Sequence, residues 1–278
     1  VEKIKILDLA AEMVQYRYFK KRITKEEYQS QFLNILDARS REGILDEEYR
    51  IPVPIQPENG HNSGRFSLGF GFKEKESFGE FKFRPGEHEL SDPDDGYVKG
   101  SEIVFFGTAV RYYSDDGIKL EHLDLIDIGS VSPRDRFFRP ISWKMKIGLT
   151  QKLFRDGEDH LVYQLNPGSG IAFENKLIGL FGFLAEADLS FSGHFKDGYA
   201  FGGGPSIYII RPITDRWKAT IYGRAIFYGL GDSHQEYKAS VEQVFKLNRN
   251  NSFNFIVSKK NGYRIEQTEL RLNWNVYF

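Results

Sequence analysis

The sequence predicts an all-β fold: a transmembrane antiparallel β-barrel of about twelve strands, preceded by a short periplasmic helical hairpin. Three observations carry this. From about residue 62 the apolar residues recur with a period of two, not 3.6. The alternating segments run roughly nine to thirteen residues, against ~5–6 for an ordinary strand and ~9–11 for a tilted membrane strand. The last segment alternates up to the final residue, Phe278.

The composition agrees. Aromatics make up 15% of the 278 residues, with 24 Phe, 15 Tyr and 27 Gly, an odd mixture for a soluble enzyme. The longest strongly apolar run, Leu177 to Ala185, falls short of the ~20 residues of a spanning helix. A mean hydropathy of -0.46 does not argue against a membrane barrel, because alternation averages away. A net charge of -1 gives no basic footprint, so nucleic acid is not expected as a partner. The absence of Cys excludes a disulfide scaffold, a thiol nucleophile and a zinc-thiolate site, and fits an oxidising compartment. No cofactor is expected. Val1 to Lys5 lacks a signal-peptide pattern, so the chain reads as a mature form or, preferably, a fragment beginning inside a longer protein.

Residues 1–50 read as the hairpin. Ile4, Leu7, Ala11, Val14 and Tyr18 share one helical face, and Lys20-Lys21-Arg22 suits a helix C-terminus. Thr24 and Glu27 form a capping box ahead of a second face made by Tyr28, Phe32, Ile35 and Leu36. Two such helices cannot bury both apolar faces on each other, so the pair is expected to dock elsewhere. Residues 51–61 are a Pro-rich linker, with Pro52, Pro54 and Pro57.

Residues 62–278 carry the barrel, with strands expected at 63–74, 78–84, 101–113, 117–128, 141–152, 160–166, 177–191, 199–211, 216–228, 235–247, 251–259 and 263–278. An even count suits a closed barrel of a bacterial outer membrane. A soluble barrel also alternates, and strand length, aromatic load and the C-terminus decide against it. Trp143, Met145, Ile147, Ala219, Ile221 and Ala225 are assigned to lipid. Lys144, Lys146, Glu186, Asp188, Lys218, Arg224, Glu242 and Lys246 are assigned to the lumen. Gly202-Gly203-Gly204 precedes no helix and is not a nucleotide loop; it permits curvature or close approach. Leu270, Leu272, Trp274, Val276 and Phe278 resemble the C-terminal signature that the barrel-assembly machinery reads in bacterial outer-membrane proteins. That resemblance implies periplasmic termini. The two long connections, 85–100 and 129–140, then also face the periplasm, the reverse of the usual short periplasmic turns.

Three clusters offer chemistry. His61 and Ser63 share a strand face and are candidates for acyl transfer, similar to the His-x-Ser of outer-membrane phospholipase; the bland alternative is a polar stretch leading into the first strand. Asp92, Asp94 and Asp95 before Gly96 are candidate Ca²⁺ ligands, set against an ordinary Asp-Pro/Asp-Gly turn. Arg134, Arg136 and Arg139 with Phe137 and Phe138 are candidates for contact with lipid or a partner, set against a solvated loop with interfacial aromatics.

Several phrases resemble one family. Leu7-Asp8-Leu9-Ala10-Ala11, Tyr16-Arg17-Tyr18, Glu26-Glu27-Tyr28 and Ala38-Arg39-Ser40-Arg41 look like the helical tail of a periplasmic domain. Gly60-His61-Asn62-Ser63-Gly64-Arg65, His88-Glu89-Leu90-Ser91-Asp92-Pro93, Gly96-Tyr97 and Ser142-Trp143 look like the barrel that follows it. The family is a set of Gram-negative envelope proteins with an N-terminal periplasmic Cys-His domain, implicated in lipoprotein N-acylation, and a C-terminal outer-membrane barrel. The resemblance implies that the catalytic domain lies upstream of Val1, so no catalytic residue carries over to this chain. It also implies outer-membrane lipid, the upstream domain and lipoproteins as partners. The expected role is an outer-membrane anchor that positions the upstream acyltransferase-like domain at the inner leaflet, with no enzyme activity of its own. The rivals are a barrel enzyme hydrolysing phospholipid through Ser63 and His61, and a narrow diffusion channel.

Overall fold

The computed structural model describes residues 2–43 and 53–278, in two compact units, the second being Pro54–Phe278. The parts of the expected hairpin and Pro-rich linker at residue 1 and at 44–52 lie outside the described residues.

The first unit contains α1 (Glu2–Phe19) and α2 (Lys25–Ser40). The capping box forms as its sequence requires: the Thr24 hydroxyl accepts from the Glu27 N–H at 3.2 Å, and the Glu27 carboxylate accepts from the Thr24 N–H at 2.8 Å. Ile4 and Val14 are buried, Tyr28 stacks on Tyr18 and Phe32, and Arg39 reaches Asp8 at 2.8 Å. Leu36, assigned to the packed face, is exposed, as are Leu9 and Phe19. Two helices cover only one stripe of each other.

The second unit is built of β1 (Arg65–Lys73), β2 (Glu76–Arg84), the two-residue β3 (Glu87–His88), β4 (Ser101–Tyr113), β5 (Gly117–Ser130), β6 (Ser142–Leu153), β7 (Asp159–Asn175), β8 (Gly179–Phe191), β9 (Tyr199–Thr214), β10 (Trp217–Gly231), β11 (His234–Asn248), β12 (Asn251–Gly262) and β13 (Ile265–Tyr277). All ladders are antiparallel. β1 pairs with β13 from Arg65↔Tyr277 to Lys73↔Glu269, and β2 pairs with β4, so twelve strands close into a barrel while β3 lies on β4 alone. The closing seam extends past the strands, because Gly64 and Phe278 exchange both backbone hydrogen bonds, at 3.1 and 2.8 Å. A Cβ on Gly64 would stand 2.7 Å from the Phe278 ring, so that close approach needs a glycine.

Each of the twelve expected segments is a strand, with one large difference in extent. The segment expected at 160–166 runs on to Asn175, straight through Pro167-Gly168-Ser169-Gly170. Pro167 has no N–H to give β8, and the β7–β8 ladder skips Asn166 and Pro167. The Asn166 side chain supplies a donor there, reaching the Ala187 carbonyl at 2.7 Å. On its other side the β6–β7 ladder runs unbroken through Lys146↔Asn166, Met145↔Pro167 and Lys144↔Gly168, so the strand continues.

The alternation sorts the faces as assigned. Trp143 and Ile221 are 43% and 40% exposed, while Lys218, Glu186 and Asp188 are buried inside. Large apolar side chains, including Phe70, Phe72, Phe83, Phe105 and Leu272, point outward around the wall. An apolar outer belt around a charged interior is the arrangement for a barrel that spans lipid.

Both chain ends of the barrel meet at one rim, here called the terminal rim. The connections 85–100 and 131–141 are at that rim, together with short turns at 176–178, 215–216 and 249–250. The opposite rim carries turns at 74–75, 114–116, 154–158, 192–198, 232–233 and 263–264. The long connections therefore lie on the side of the termini.

Candidate functional site

The lumen is crossed by ion pairs. Arg111 on β4 bonds Glu80 on β2 at 2.8 Å and both oxygens of Glu269 on β13 at 2.8 and 2.9 Å. Arg271 adds to Glu80 at 3.0 Å. Lys152 on β6 reaches Asp188 on β8 at 2.8 Å, Tyr228 on β10 at 2.6 Å and Glu236 on β11 at 3.4 Å. Asp159, at the start of β7, holds Lys73 of β1 at 3.0 Å and Lys260 of β12 at 2.5 Å. These bridges join walls far apart around the ring. Between them remains a polar cavity of ≈ 400 Å³. A second cavity of ≈ 250 Å³ near the opposite rim shares Lys73, Glu121, Gln151 and Gln267 with it. Elsewhere at that rim Phe154, Phe195, Ile226, Tyr228 and Tyr263 pack inward.

At the terminal rim the 85–100 connection folds into the lumen. Leu90 packs on the inward cluster of Val131, Ala172, Leu180 and Ile210. Asp92, 1% exposed, is the clasp. Its carboxylate accepts from Arg65 of β1 at 2.7 Å, Arg84 of β2 at 2.5 Å, the Tyr277 hydroxyl of β13 at 2.8 Å and the Glu89 N–H at 3.0 Å. Glu89 also takes Arg65 at 2.6 Å. Lys218 of β10 donates to the Asp92 carbonyl at 2.7 Å and the Asp94 carboxylate at 2.6 Å, and Lys246 of β11 pairs with Asp95. The two guanidiniums hold the Asp92 carboxyl well below the usual carboxylate range and bring Glu89 down to about 2, against the burial that pushes both up.

Two histidines complete the clasp. His61 stacks on Tyr97 at 4.5 Å and packs against Tyr277 at 4.3 Å, and His88 stacks on Tyr97 at 4.3 Å. Burial lowers the His61 imidazole and pushes His88 down to about 3, outweighing the pull of Asp92. The segment before β1 seals the arrangement: Gly60 lies so close that a Cβ there would meet the Asp95 carbonyl at 2.1 Å, and Gly96 turns with φ +80. Arg249 ties Gly60 down through its carbonyl at 2.6 Å.

The residues singled out by sequence fall as follows. His61 and Ser63 are not brought together: the His61 ring is buried, its Nδ1 bonded to the Asn62 carbonyl at 2.7 Å, while Ser63 is exposed. No hydrogen bond joins the two side chains. Asp92, Asp94 and Asp95 do not converge on one point; each faces a basic side chain of the wall. Arg136, Phe137, Phe138 and Arg139 form an exposed turn at the terminal rim, with Arg134 half-buried beside it; in the turn the Asp135 carboxylate accepts from the N–H groups of Phe137 and Phe138, both at 2.6 Å. Leu270, Leu272 and Trp274 face outward, and the Phe278 ring lies near Phe66 and Phe83 at 6.2 and 6.3 Å. The eight lumen charges face inward. Arg65, Arg84, Glu89 and Tyr277 are site residues that the sequence patterns do not single out. Their signal was the unexpected charge or hydroxyl at strand ends.

Fold and site together define a transmembrane antiparallel barrel whose lumen is charge-bridged and entered from the terminal rim by the 85–100 connection. The chain belongs to the family described as domain of unknown function DUF7840, whose pattern matches residues 54–277, the barrel unit. A comparison with curated proteins finds no match. Among solved structures, the chain is similar to KdgM porin at 9% identity and TM-score 0.43, over 77% of this chain and 99% of that one. It is similar to NanC porin at 7% identity and TM-score 0.46, with the same coverage. It is similar to the beta domain of the Bordetella autotransporter BrkA at 14% identity and TM-score 0.39, over 78% of this chain and 100% of that one. These are likenesses of fold.

Proposed function

We propose that this chain is a plugged outer-membrane barrel, with both termini in the periplasm, that anchors and positions an upstream periplasmic acyltransferase-like domain at the inner leaflet. The observation that carries the reading is the clasped 85–100 connection, bonded through Asp92 to three strands inside a lumen that ion pairs already bridge. A lumen closed in this way suits a fixed mount better than a conduit. The upstream domain, its Cys-His chemistry and the link to lipoproteins rest on the family resemblance. The exposed Arg136, Phe137, Phe138 and Arg139 would stand at the rim nearest that domain, available to lipid phosphate or to a partner carboxylate. Reconstitution of the full chain in planar bilayers should give no steady conductance. Accessibility labelling of residues in the 131–141 turn on intact cells should fail until the outer membrane is permeabilised.

A narrow diffusion channel is the second reading. What favours it is the ≈ 400 Å³ polar cavity sharing walls with the ≈ 250 Å³ cavity toward the opposite rim. Stable, ion-selective conductance of the unmodified chain would establish this reading over the first. The separation of Ser63 from the buried His61 gives no support to hydrolysis inside the barrel.

A further inference from the structure

We propose that His61, His88 and Asp92 form a binding site for one divalent transition-metal ion of the zinc class. One ring nitrogen of each histidine and one carboxylate oxygen of Asp92 lie within 4.8 Å of one another. His61 and His88 are each 3% exposed. The His61 Nδ1 is bonded to the Asn62 carbonyl at 2.7 Å, so Nδ1 carries the proton and Nε2 presents a lone pair. That Nε2 is buried without a hydrogen-bond partner, and so are both ring nitrogens of His88. A histidine that binds a metal commonly donates its other N–H to a backbone carbonyl, as His61 does. One ion takes one nitrogen from each ring, so it would partner the His61 Nε2 and one of the two His88 nitrogens. The stacking on Tyr97 and Tyr277 uses the ring faces and leaves the edges, where ligand lone pairs lie, free.

The donor set selects the ion. Two imidazoles and one carboxylate suit zinc, cobalt or nickel, whereas calcium takes six to eight oxygens. The surrounding charges set a condition. Arg65, Arg84 and Lys218 already balance Glu89, Asp92 and Asp94, so the two imidazoles provide most of the hold. Asp92 Oδ2 lies 4.0 Å from His88 Nδ1 and is bonded by Arg84. Its coordination exchanges Arg84 for the ion, and Arg84 keeps the Ser63 carbonyl at 3.1 Å. This site is independent of whether the barrel is an anchor or a channel.

The test uses the full chain in detergent, without a histidine tag, stripped with chelator and titrated with cobalt. The expected result is one ion per chain, a visible absorption band, and displacement by zinc. His61→Gln and His88→Gln should each weaken binding at least tenfold while heat-modifiable gel migration shows the barrel folded. The double change His160→Gln and His194→Gln, at the opposite rim, should leave binding unchanged. X-ray absorption of the zinc-loaded unmodified chain should show two imidazoles on the metal. Absence of stoichiometric binding, unchanged affinity in both His variants, loss of binding in the opposite-rim variant, or fewer than two imidazoles on zinc would each overturn the proposal.

Discussion

Asp92→Asn should loosen the plug while leaving the barrel closed. The carboxylate is bonded by Arg65, Arg84, Tyr277 and the Glu89 N–H. Asparagine keeps the volume but removes the charge and one of the two acceptor oxygens. Arg65 retains Glu89 at 2.6 Å, but Arg84 keeps only the Ser63 carbonyl at 3.1 Å and Glu89 at 3.8 Å. Breaking one partner of a buried pair costs ~3–5 kcal/mol, and here Arg84 stays buried with only those longer contacts to balance its charge. At ~1.4 kcal/mol per decade the ratio of seated to released loop falls by about two to four decades. The chain has no cysteine, so Ser91→Cys provides a single, nearly isosteric probe in the buried loop. Maleimide should label Ser91→Cys slowly, and Ser91→Cys/Asp92→Asn faster by two decades or more, with unchanged heat-modifiable migration. Labelling rates within about threefold of each other would refute the claim that Asp92 holds the loop.

Three further outcomes follow. Acidification should release the same loop: His61 and His88 have folded-state values below 6.5, so the unfolded or released form binds more protons. Stability is lost as pH falls from 6.5 toward about 3, and depressed Asp92 and Glu89 add to the loss below ~4; labelling of Ser91→Cys that does not accelerate between pH 7 and 4 would count against this. Ile221→Arg puts a charge on the lipid face, costing ~2–4 kcal/mol near the midplane, and should depress the folded fraction in vesicles, whereas the inward Thr220→Arg should fold; equal yields would reject the assigned faces. Removal of Phe278 should reduce assembled barrel in cells far more than it lowers the melting temperature of refolded protein, since it deletes one aromatic and two backbone bonds; equal assembly in cells would remove its role as a signal.

The barrel was legible because membrane strands write a two-residue period over long stretches, and Lys144, Lys146 and Arg224 could be assigned to the lumen by parity alone. Strand β7 runs past the expected 166 to Asn175, through Pro167-Gly168-Ser169-Gly170, which has the local chemistry of a break. The unbroken pairing with β6 that carries the strand through belongs to the neighbouring strand's geometry. The clasp was legible only as fragments. His61, Arg65, His88 and Asp92 all stood in the quoted phrases, but nothing in their spacing says that Asp92 meets Tyr277, 185 residues away, or that Lys218 meets Asp94. The three aspartates therefore read as a turn or a calcium loop, when each answers a base on a different strand. An inward-folded loop is decided by partners across the ring, which no local window contains.

Asp92 bonds at once to the first, second and last strands of the ring, across the joint where Gly64 meets Phe278. Those anchors exist as a set only after the last strand has arrived beside the first. Seating of the loop is therefore conditional on closure, and a half-built barrel keeps an unplugged rim. In the finished molecule the relation runs the other way. The joint is where the wall is held together by strands from opposite ends of the barrel's sequence, and the loop rivets it from within, so prying the ends of the chain apart must first pull out the rivet.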